Sequence, residues 1–327
     1  MFGYWSLYAL LAGAVIDAIL GDPQRLPHPV ILMGKLISLL ESWLRHIFPK
    51  SPRGENWAGG VLWLVLSALA FAVPAALLML CHRFSPWLGF AVEAVMCWQC
   101  LAARSLVRES MKVKKALDFG DIDASRKAVS MIVGRDTERL DEAAVARAAV
   151  ETVAENASDG VIAPLLFLAI GGGPLGLLYK AVNTMDSMLG YIEPPYRHFG
   201  LVPARLDDVF NFIPARLSAL LMLLGGGILG FDMKNGWRIF RRDRRKHASP
   251  NSAQTESVMA GLLGLRLAGD AWYHGALHKK EFIGDALREI ENEDISRANR
   301  IMLMTAALAL ILFCGAKLAV LVTANAL

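Results

Sequence analysis

Glu151, Glu155 and Asp159 stand four positions apart within Glu-Thr-Val-Ala-Glu-Asn-Ala-Ser-Asp-Gly (151–160). A helix brings such residues to one face, and three like charges there repel unless water or a cation offsets them. Mg²⁺ with ATP phosphates would suit that face, because the ion favours carboxylate and phosphate oxygens. Asn156 and Ser158 lie among the carboxylates as polar groups for the same nucleotide. A solvated helix end closed by an Asp-Gly turn would use the same residues.

A second set is Lys180, Asn183, Thr184 and Ser187, which share one helical side, with Asp186 slightly off it. Lysine offers phosphate a point charge and asparagine an amide donor. A snorkelling lysine that ends a span, followed by a polar cap, is the plain alternative. A third set is Tyr196-Arg-His-Phe-Gly200 and Ala204-Arg-Leu-Asp-Asp208. Arg197 and Arg205 can fork onto carboxylate or phosphate, and Asp207 with Asp208 forms another metal candidate; interfacial salt bridges would also account for them. Arg216, eight residues after Asp208, lies inside an apolar segment, where charges usually pair or work.

His28 follows Asp22 in a proline-rich stretch that would fix its side chain. Asn251, Gln254 and Glu256 are binding candidates after Ser249-Pro250, with Ser252 or Thr255 as a helix cap. Tyr273-His274-Gly275 is a polar-aromatic turn without distinctive spacing.

These residues need a frame, and composition says what kind. Of 327 residues, 55% are hydrophobic and 20% charged, and mean hydropathy is +0.41. A soluble domain carries more charge. Six apolar segments stand out, at about 2–20, 58–81, 86–103, 160–180, 209–231 and 301–324. A bilayer core takes roughly 20 such residues in a helix. The fourth and fifth contain Gly171-Gly172-Gly173-Pro174 and Gly225-Gly226-Gly227, so both can be interrupted and re-entrant. Lys317, in the sixth, can snorkel. The expected fold is therefore an all-α polytopic membrane protein of four to six membrane segments, one integral domain over 1–327. The first segment has neither a basic leader nor a cleavage motif and is expected to stay as a span.

Three polar regions separate the spans: 21–57, 104–157 and 232–300. Residues 30–48 predict an amphipathic helix. In 104–157, Gly134-Arg135-Asp136-Thr137 is expected to divide two helices, with Asp136 or Thr137 capping the second. In 232–300 a small-residue helix is expected from about Thr255 to Ala268. The basic residues concentrate in the second and third regions, which places them on the cytoplasmic side and the N-terminus outside. Charge counting leaves the side of 183–208 open. A net charge of +4 is mild and does not suggest nucleic acid as a partner. Cys97 and Cys100 have CxxC spacing but sit in an apolar helix, as buried small hydrophobes would. No GxxxxGK[ST] loop, HExxH or Gly-x-Ser-x-Gly is present.

Taken in order, Gly21-Asp-Pro, Pro27-His-Pro29, Glu151 to Pro164, Tyr179 to Tyr191, Tyr196 to Gly200, Ala204 to Asp208, Ile213 to Leu217 and Ser249-Pro-Asn251 resemble the CobD/CbiB family of cobalamin biosynthesis, the adenosylcobinamide-phosphate synthases. The likeness runs from about residue 10 to 290. It departs at Ala157, where threonine is usual, and at Ser252-Ala253, where Ala-Gly is usual; neither removes a titratable group. The resemblance implies an ATP- and Mg²⁺-dependent ligase of the bacterial inner membrane. It would join the free propionate of adenosylcobyric acid to aminopropanol or its O-phosphate. ATP would activate the propionate as an acyl phosphate, which the amine attacks as phosphate leaves. In that chemistry Glu151, Glu155 and Asp159, with Asp207 and Asp208, are expected to hold metal. Lys180 and Arg197 would stabilise phosphoryl oxygens, and Asn183 and Asp186 would orient substrate or metal. His28 or His198 would take the amine proton. Asn156, Ser158, Arg205 and Asn251 complete the binding set. The bilayer, and other enzymes of the pathway, are the expected partners. A transporter or a corrinoid-handling scaffold is the alternative from another class.

Overall fold

The computed structural model describes residues 2–23, 28–191, 193–273 and 275–326. In chain order the helices are α1 (Phe2–Leu20), α2 (Pro29–Ile47), α3 (Pro52–Phe84), α4 (Pro86–Cys100), α5 (Ala103–Asp118), α6 (Ile122–Ser130) and α7 (Glu142–Asn156). A π-helical turn (Ala157–Ile162) leads into α8 (Ala163–Leu189), then α9 (Leu201–Ile228), α10 (Met233–Asp243), α11 (Ser252–Leu263) and, last, α12 (Glu293–Ala326). Before α12 come β1 (Arg266–Ala268), β2 (Ala271–Tyr273), β3 (Ala276–His278) and β4 (Phe282–Gly284). Among the described residues, six helical stretches are long and apolar enough to cross a membrane, and they coincide with the six apolar segments of the sequence. Leu64, Phe71, Val73, Leu77, Met79 and Leu80 all lie exposed on α3, an apolar surface suited to lipid rather than water. This is an all-α polytopic membrane protein with two small β-ribbons.

The chain divides into two units. The first comprises Met1–Ala102, Ala163–Asn211 and Leu312–Leu327. Prolines start its helices: Pro29 follows His28, whose side chain accepts from Val30 N, and Pro52 follows the Ser51 cap. The α2 helix is amphipathic as expected. Met33, Ile37 and Leu44 are buried while Leu32, Leu39 and Trp43 remain exposed. Helices α1 and α4 meet closely at Gly13, where an added Cβ would lie 2.6 Å from the Cys97 Cβ. Cys97 and Cys100 are fully buried free thiols.

The α8 helix is broken at Gly171 (φ −130°, ψ 16°) and Gly172 (φ 67°, ψ −161°). The peptide freed there is satisfied by a membrane carboxylate. Glu93 Oε1 accepts from Gly173 N at 3.3 Å and from Ser6 Oγ at 2.6 Å. Lys317 does not simply snorkel, because its Nζ reaches Ser6 Oγ at 3.0 Å.

The second unit comprises Ala103–Ile162 and Phe212–Ile311. Three expectations change here. The second glycine run does not interrupt α9; a Cβ on Gly226 would lie 2.4 Å from Leu262 Cδ1, so the small residue serves close packing. Region 104–157 forms three helices rather than two, and Asp141 caps α7 in place of Asp136 or Thr137, accepting from Ala144 N at 2.7 Å. The helix expected to run to Ala268 stops at Leu263, where Gly264 takes a left-handed C-cap (φ 66°). Neither Ser252 nor Thr255 occupies its N-cap; Asn251 does, without a side-chain cap bond. The chain then turns back through antiparallel pairs, with Leu267 opposite Ile283 and Trp272 opposite Leu277.

A buried carboxylate–cation cavity in the second unit

The last two turns of α7 present Glu151, Thr152, Glu155 and Asn156 to a 220 Å³ cavity. The spacing of four does bring Glu151 and Glu155 to one face. It fails for Asp159, which does not line the cavity, because the chain enters the π-helical turn at Ala157 and the side-chain repeat widens. Glu256, in the first turns of α11, supplies the third carboxylate. Arg135, from the segment between α6 and α7, and Lys280, from the turn before β4, bring positive charge to the same space. His247 and Tyr273 complete the polar lining.

Glu151 is 8% exposed. One of its oxygens accepts from the Arg135 guanidinium in a short ion pair, and the other accepts from Ala268 N at 2.7 Å. Ala268 has φ 58°, a left-handed conformation that costs a β-carbon residue about 1 kcal/mol or more. Burial favours the neutral form of Arg135, yet the Glu151 charge and hydrogen bond, with Tyr273 and Glu256 behind them, hold its pKa above the ordinary value. Glu155 Oε1 accepts from Ser252 Oγ at 2.9 Å. Lys280 Nζ donates to Tyr273 OH at 2.7 Å.

Glu256 is 6% exposed, and its Oε2 makes no hydrogen bond. Burial, then the Glu155 and Glu151 charges, push its pKa well up, against the pull of Lys280 and Arg135. His247 is pushed down, first by burial and then by Lys280, while Glu155 and Glu151 oppose that shift.

A larger groove of 960 Å³ shares Arg135 with this cavity. Arg126, Lys127 and Arg139 line it, and the Arg139 guanidinium stands 4.7 Å from the centre of the Trp272 ring. Asp136 fastens the loop between the two spaces. Its N–H donates to Trp272 O at 2.9 Å, and its carboxylate accepts from Gly275 N at 2.8 Å.

The remaining candidates fall into place by unit. In the second unit, Asn156 Nδ2 donates back to Thr152 O at 3.0 Å, and Ser158 is buried in the π-helical turn. Asn251 Oδ1 accepts from Arg216 Nη1 at 3.2 Å, so the arginine inside the apolar segment finds an amide partner. In the first unit, Asn211 Nδ2 donates to Asp207 Oδ2 at 2.9 Å and Tyr179 OH donates to Asn211 Oδ1 at 2.8 Å. Asn183 also hydrogen-bonds the Asp207 carboxyl, with the Asp186 and Asp208 charges nearby. Asn183, Asp186, Asp207 and Asp208 therefore gather between α8 and the first half of α9. Lys180 is half-buried on α8. His28 pairs with Asp22 at 3.6 Å. Arg197 and Arg205 are exposed, and His198 is half-buried in the turn before α9. His274 lies outside the described residues.

Sequence reasoning did not single out Arg135, His247 or Lys280 as site residues, and it reached Glu256 and Tyr273 only as unplaced polar groups. Glu256, four residues after Ser252 in a run of small residues, carried the one signal that could have found it: a carboxylate in a helix too apolar to be a solvated face. Among the described residues, no group of three or more His, Cys, Asp or Glu side chains is arranged to hold a metal ion. Both oxygens of Glu151 accept hydrogen bonds.

A profile of the CobD/Cbib protein family matches residues 10–302. A Klebsiella pneumoniae relative, named cobalamin biosynthesis protein CobD, is 47% identical over 312 residues, covering 95% of this chain and 98% of its own. A Clostridium perfringens protein of the same name is 46% identical over 302 residues, 92% of this chain and 95% of its own. A Salmonella typhimurium relative, named cobalamin biosynthesis protein CbiB, is 45% identical over 306 residues, 93% and 95% of the two chains. Comparison with solved structures finds no match.

Proposed function

The chain belongs to the CobD/Cbib family of cobalamin biosynthesis proteins, and from that premise we propose that it is adenosylcobinamide-phosphate synthase, an amide-forming ligase of the bacterial inner membrane. The substrates of this reading are the free propionate of adenosylcobyric acid and (R)-1-amino-2-propanol O-2-phosphate, or the free amino alcohol, with ATP as cosubstrate. Carboxylate and ammonium do not condense unaided. A catalyst has to neutralise phosphoryl charge, hold the amine against the activated carbonyl and keep water out.

The observation that carries the reading is the buried cavity in which Arg135 and Lys280 face Glu155 and Glu256. Cations and carboxylates are held together there, with Glu151 and Glu256 buried, and the site is fastened by a backbone conformation that costs energy at Ala268. Mg²⁺ completes its shell with phosphate oxygens and water. In this proposal the ion arrives with the nucleotide phosphates. In the first unit, Asn183 and Asp186 keep the role of orienting substrate or metal and Lys180 that of binding phosphoryl oxygens, as the resemblance implies, with Asp207 and Asp208 beside them as metal candidates. Arg197 keeps its part with phosphate, and His28 and His198 theirs with the amine proton.

The test is product mass. Detergent-purified protein is given adenosylcobyric acid, ATP, Mg²⁺ and either amine. A corrinoid heavier by one amide-linked amine supports the ligase, and its phosphorus content names the amine. Folded protein that makes no product from verified substrates counts against it.

One observation favours a second reading. The broken helix α8, with Glu93 on its freed peptide N–H and Lys317 on Ser6, is an intramembrane polar arrangement of the kind transporters use. Corrinoid accumulation in sealed vesicles without covalent product would favour transport.

A further inference from the structure

The two spaces of the second unit differ in size by more than fourfold, at 220 and 960 Å³. Liquid water occupies about 30 Å³ per molecule, so the inner cavity holds the equivalent of about seven waters. It lies below the roughly 300–1,000 Å³ of pockets that take drug-sized ligands. A corrin macrocycle or a whole nucleotide does not fit it, whereas a metabolite of about ten non-hydrogen atoms does.

Charge narrows the occupant further. A simple anion is a poor guest beside the Glu155 carboxylate, which would repel it. A simple cation is a poor guest on the side of Arg135 and Lys280. A short molecule with an ammonium at one end and a phosphate at the other satisfies both. Glu256 is decisive. It is 6% exposed, faces the cavity, and leaves Oε2 without a hydrogen bond. A buried acceptor without a hydrogen bond is unfavourable, and a donating ligand would supply the missing bond.

We propose that this inner cavity is the seat of the small amine substrate, an aminoalkyl phosphate, with its ammonium on Glu256 and Glu155 and its phosphate on Lys280 and Arg135. The assignment rests on the ligase reading above for the identity of the amine, and on the cavity for its place. The larger groove beyond Arg135 is left for a bulkier partner. Lys280 is already placed for the phosphate, because its Nζ donates to Tyr273 OH at 2.7 Å and both residues line the cavity. Ser252 does the same for Glu155 at 2.9 Å.

The experiment is calorimetric binding to the full-length protein in detergent, without ATP or corrinoid. Two probes are compared: (R)-1-amino-2-propanol O-2-phosphate, and isopropyl phosphate, which lacks the amine. Wild-type protein is expected to bind the amine probe about ten- to a hundredfold more tightly, the range of a hydrogen bond to a charged group. Glu256→Gln should remove most of that preference and leave isopropyl phosphate binding unchanged. Lys280→Met should weaken both probes alike.

A preference untouched by E256Q, or no binding of the amine probe by wild-type protein, overturns the assignment. If E256Q binds neither probe, Glu155→Gln carries the same comparison, and equal weakening of both probes there also overturns it. The outcomes separate from those of the ligase reading. Loss of the preference in E256Q without any amide product leaves the cavity assignment and removes the ligase. Amide product with an unchanged preference does the reverse.

Discussion

Arg135 and Glu151, sixteen positions apart in the chain, close on each other in an ion pair whose side chains are 15% and 11% exposed. The pair joins the loop after α6 to the inner face of α7, and the same carboxylate takes the Ala268 peptide N–H at 2.7 Å. Three segments are thus pinned by one side chain. Removing either partner strands a buried charge, which costs about 3–5 kcal/mol, whereas removing both avoids that penalty. Glu151→Gln and Arg135→Met should each lower the thermal midpoint in detergent by several degrees, and the double variant by clearly less than their sum. Additive shifts would show that the pair is not coupled.

The pH response of this cavity should change sign between two of its members. Glu256 faces Glu151, Glu155, Arg135, Lys280 and His247, and its raised pKa means that the folded state keeps a proton the unfolded chain has released. Its contribution to stability is therefore whole below about pH 4.3, the unfolded value, and is lost as pH rises toward the folded one. His247 is depressed, so its effect is opposite: the unfolded chain takes up a proton first as pH falls through about 6.5, and stability drops. Thermal midpoints from pH 5 to 8 should fall less steeply with rising pH in Glu256→Gln than in wild type. His247→Gln should lose less on the acid side. Unchanged slopes would refute both.

Asp243 closes the far side of the same unit. Its side chain is fully buried, its oxygens take Arg242 at 2.8 and 2.7 Å, Lys246 at 3.0 Å and Gly284 N at 2.8 Å. Despite burial, these donors hold its pKa down at about 2. The contribution is present above the usual carboxylate range and is lost as pH falls from about 4 toward 2. Asp243→Asn keeps the shape and removes the charge. It should destabilise the protein by about 2–4 kcal/mol and loosen the β1–β4 ribbon, read as faster amide exchange at Gly284. Wild-type exchange there would contradict the anchoring role.

Much of this molecule is legible in the chain. Six apolar runs became six helices long and apolar enough to cross a membrane, because length and hydropathy are local properties. Gly171–Gly172 broke its helix where Pro174 follows and Glu93 accepts the freed N–H, whereas Gly225–Gly227 stays helical and Leu262 fills the space beside Gly226. The three-residue strands were hidden by their shortness: no period can be read from Arg266–Ala268. The site was half legible. Glu151 and Glu155 could be paired from spacing alone, but Asp159 was lost to a π-helical turn that composition does not announce. Arg135, Lys280 and Glu256 come from three segments that only tertiary contact joins.

Gly172 sets a last test, in the first unit. With φ 67° and ψ −161° it occupies backbone space that essentially only glycine visits, at a cost of about 1–3 kcal/mol to any other residue. There is also a steric share: an added Cβ would lie 2.2 Å from Glu93 Oε1 and 2.9 Å from Ser6 Oγ. Glu93 cannot swing away freely, because Ser6 and Gly173 N hold the same oxygen. Gly172→Ala should therefore lower the thermal midpoint, and Glu93→Ala alone should lower it by freeing Gly173 N and Lys317's neighbour. In the double variant the clash with Glu93 is gone, while the backbone strain and the contact with Ser6 remain. Its midpoint should lie below that of Glu93→Ala by those two alone, a smaller step than Gly172→Ala makes in the wild-type background. Equal steps in both backgrounds would mean that the carboxylate does not press on the break.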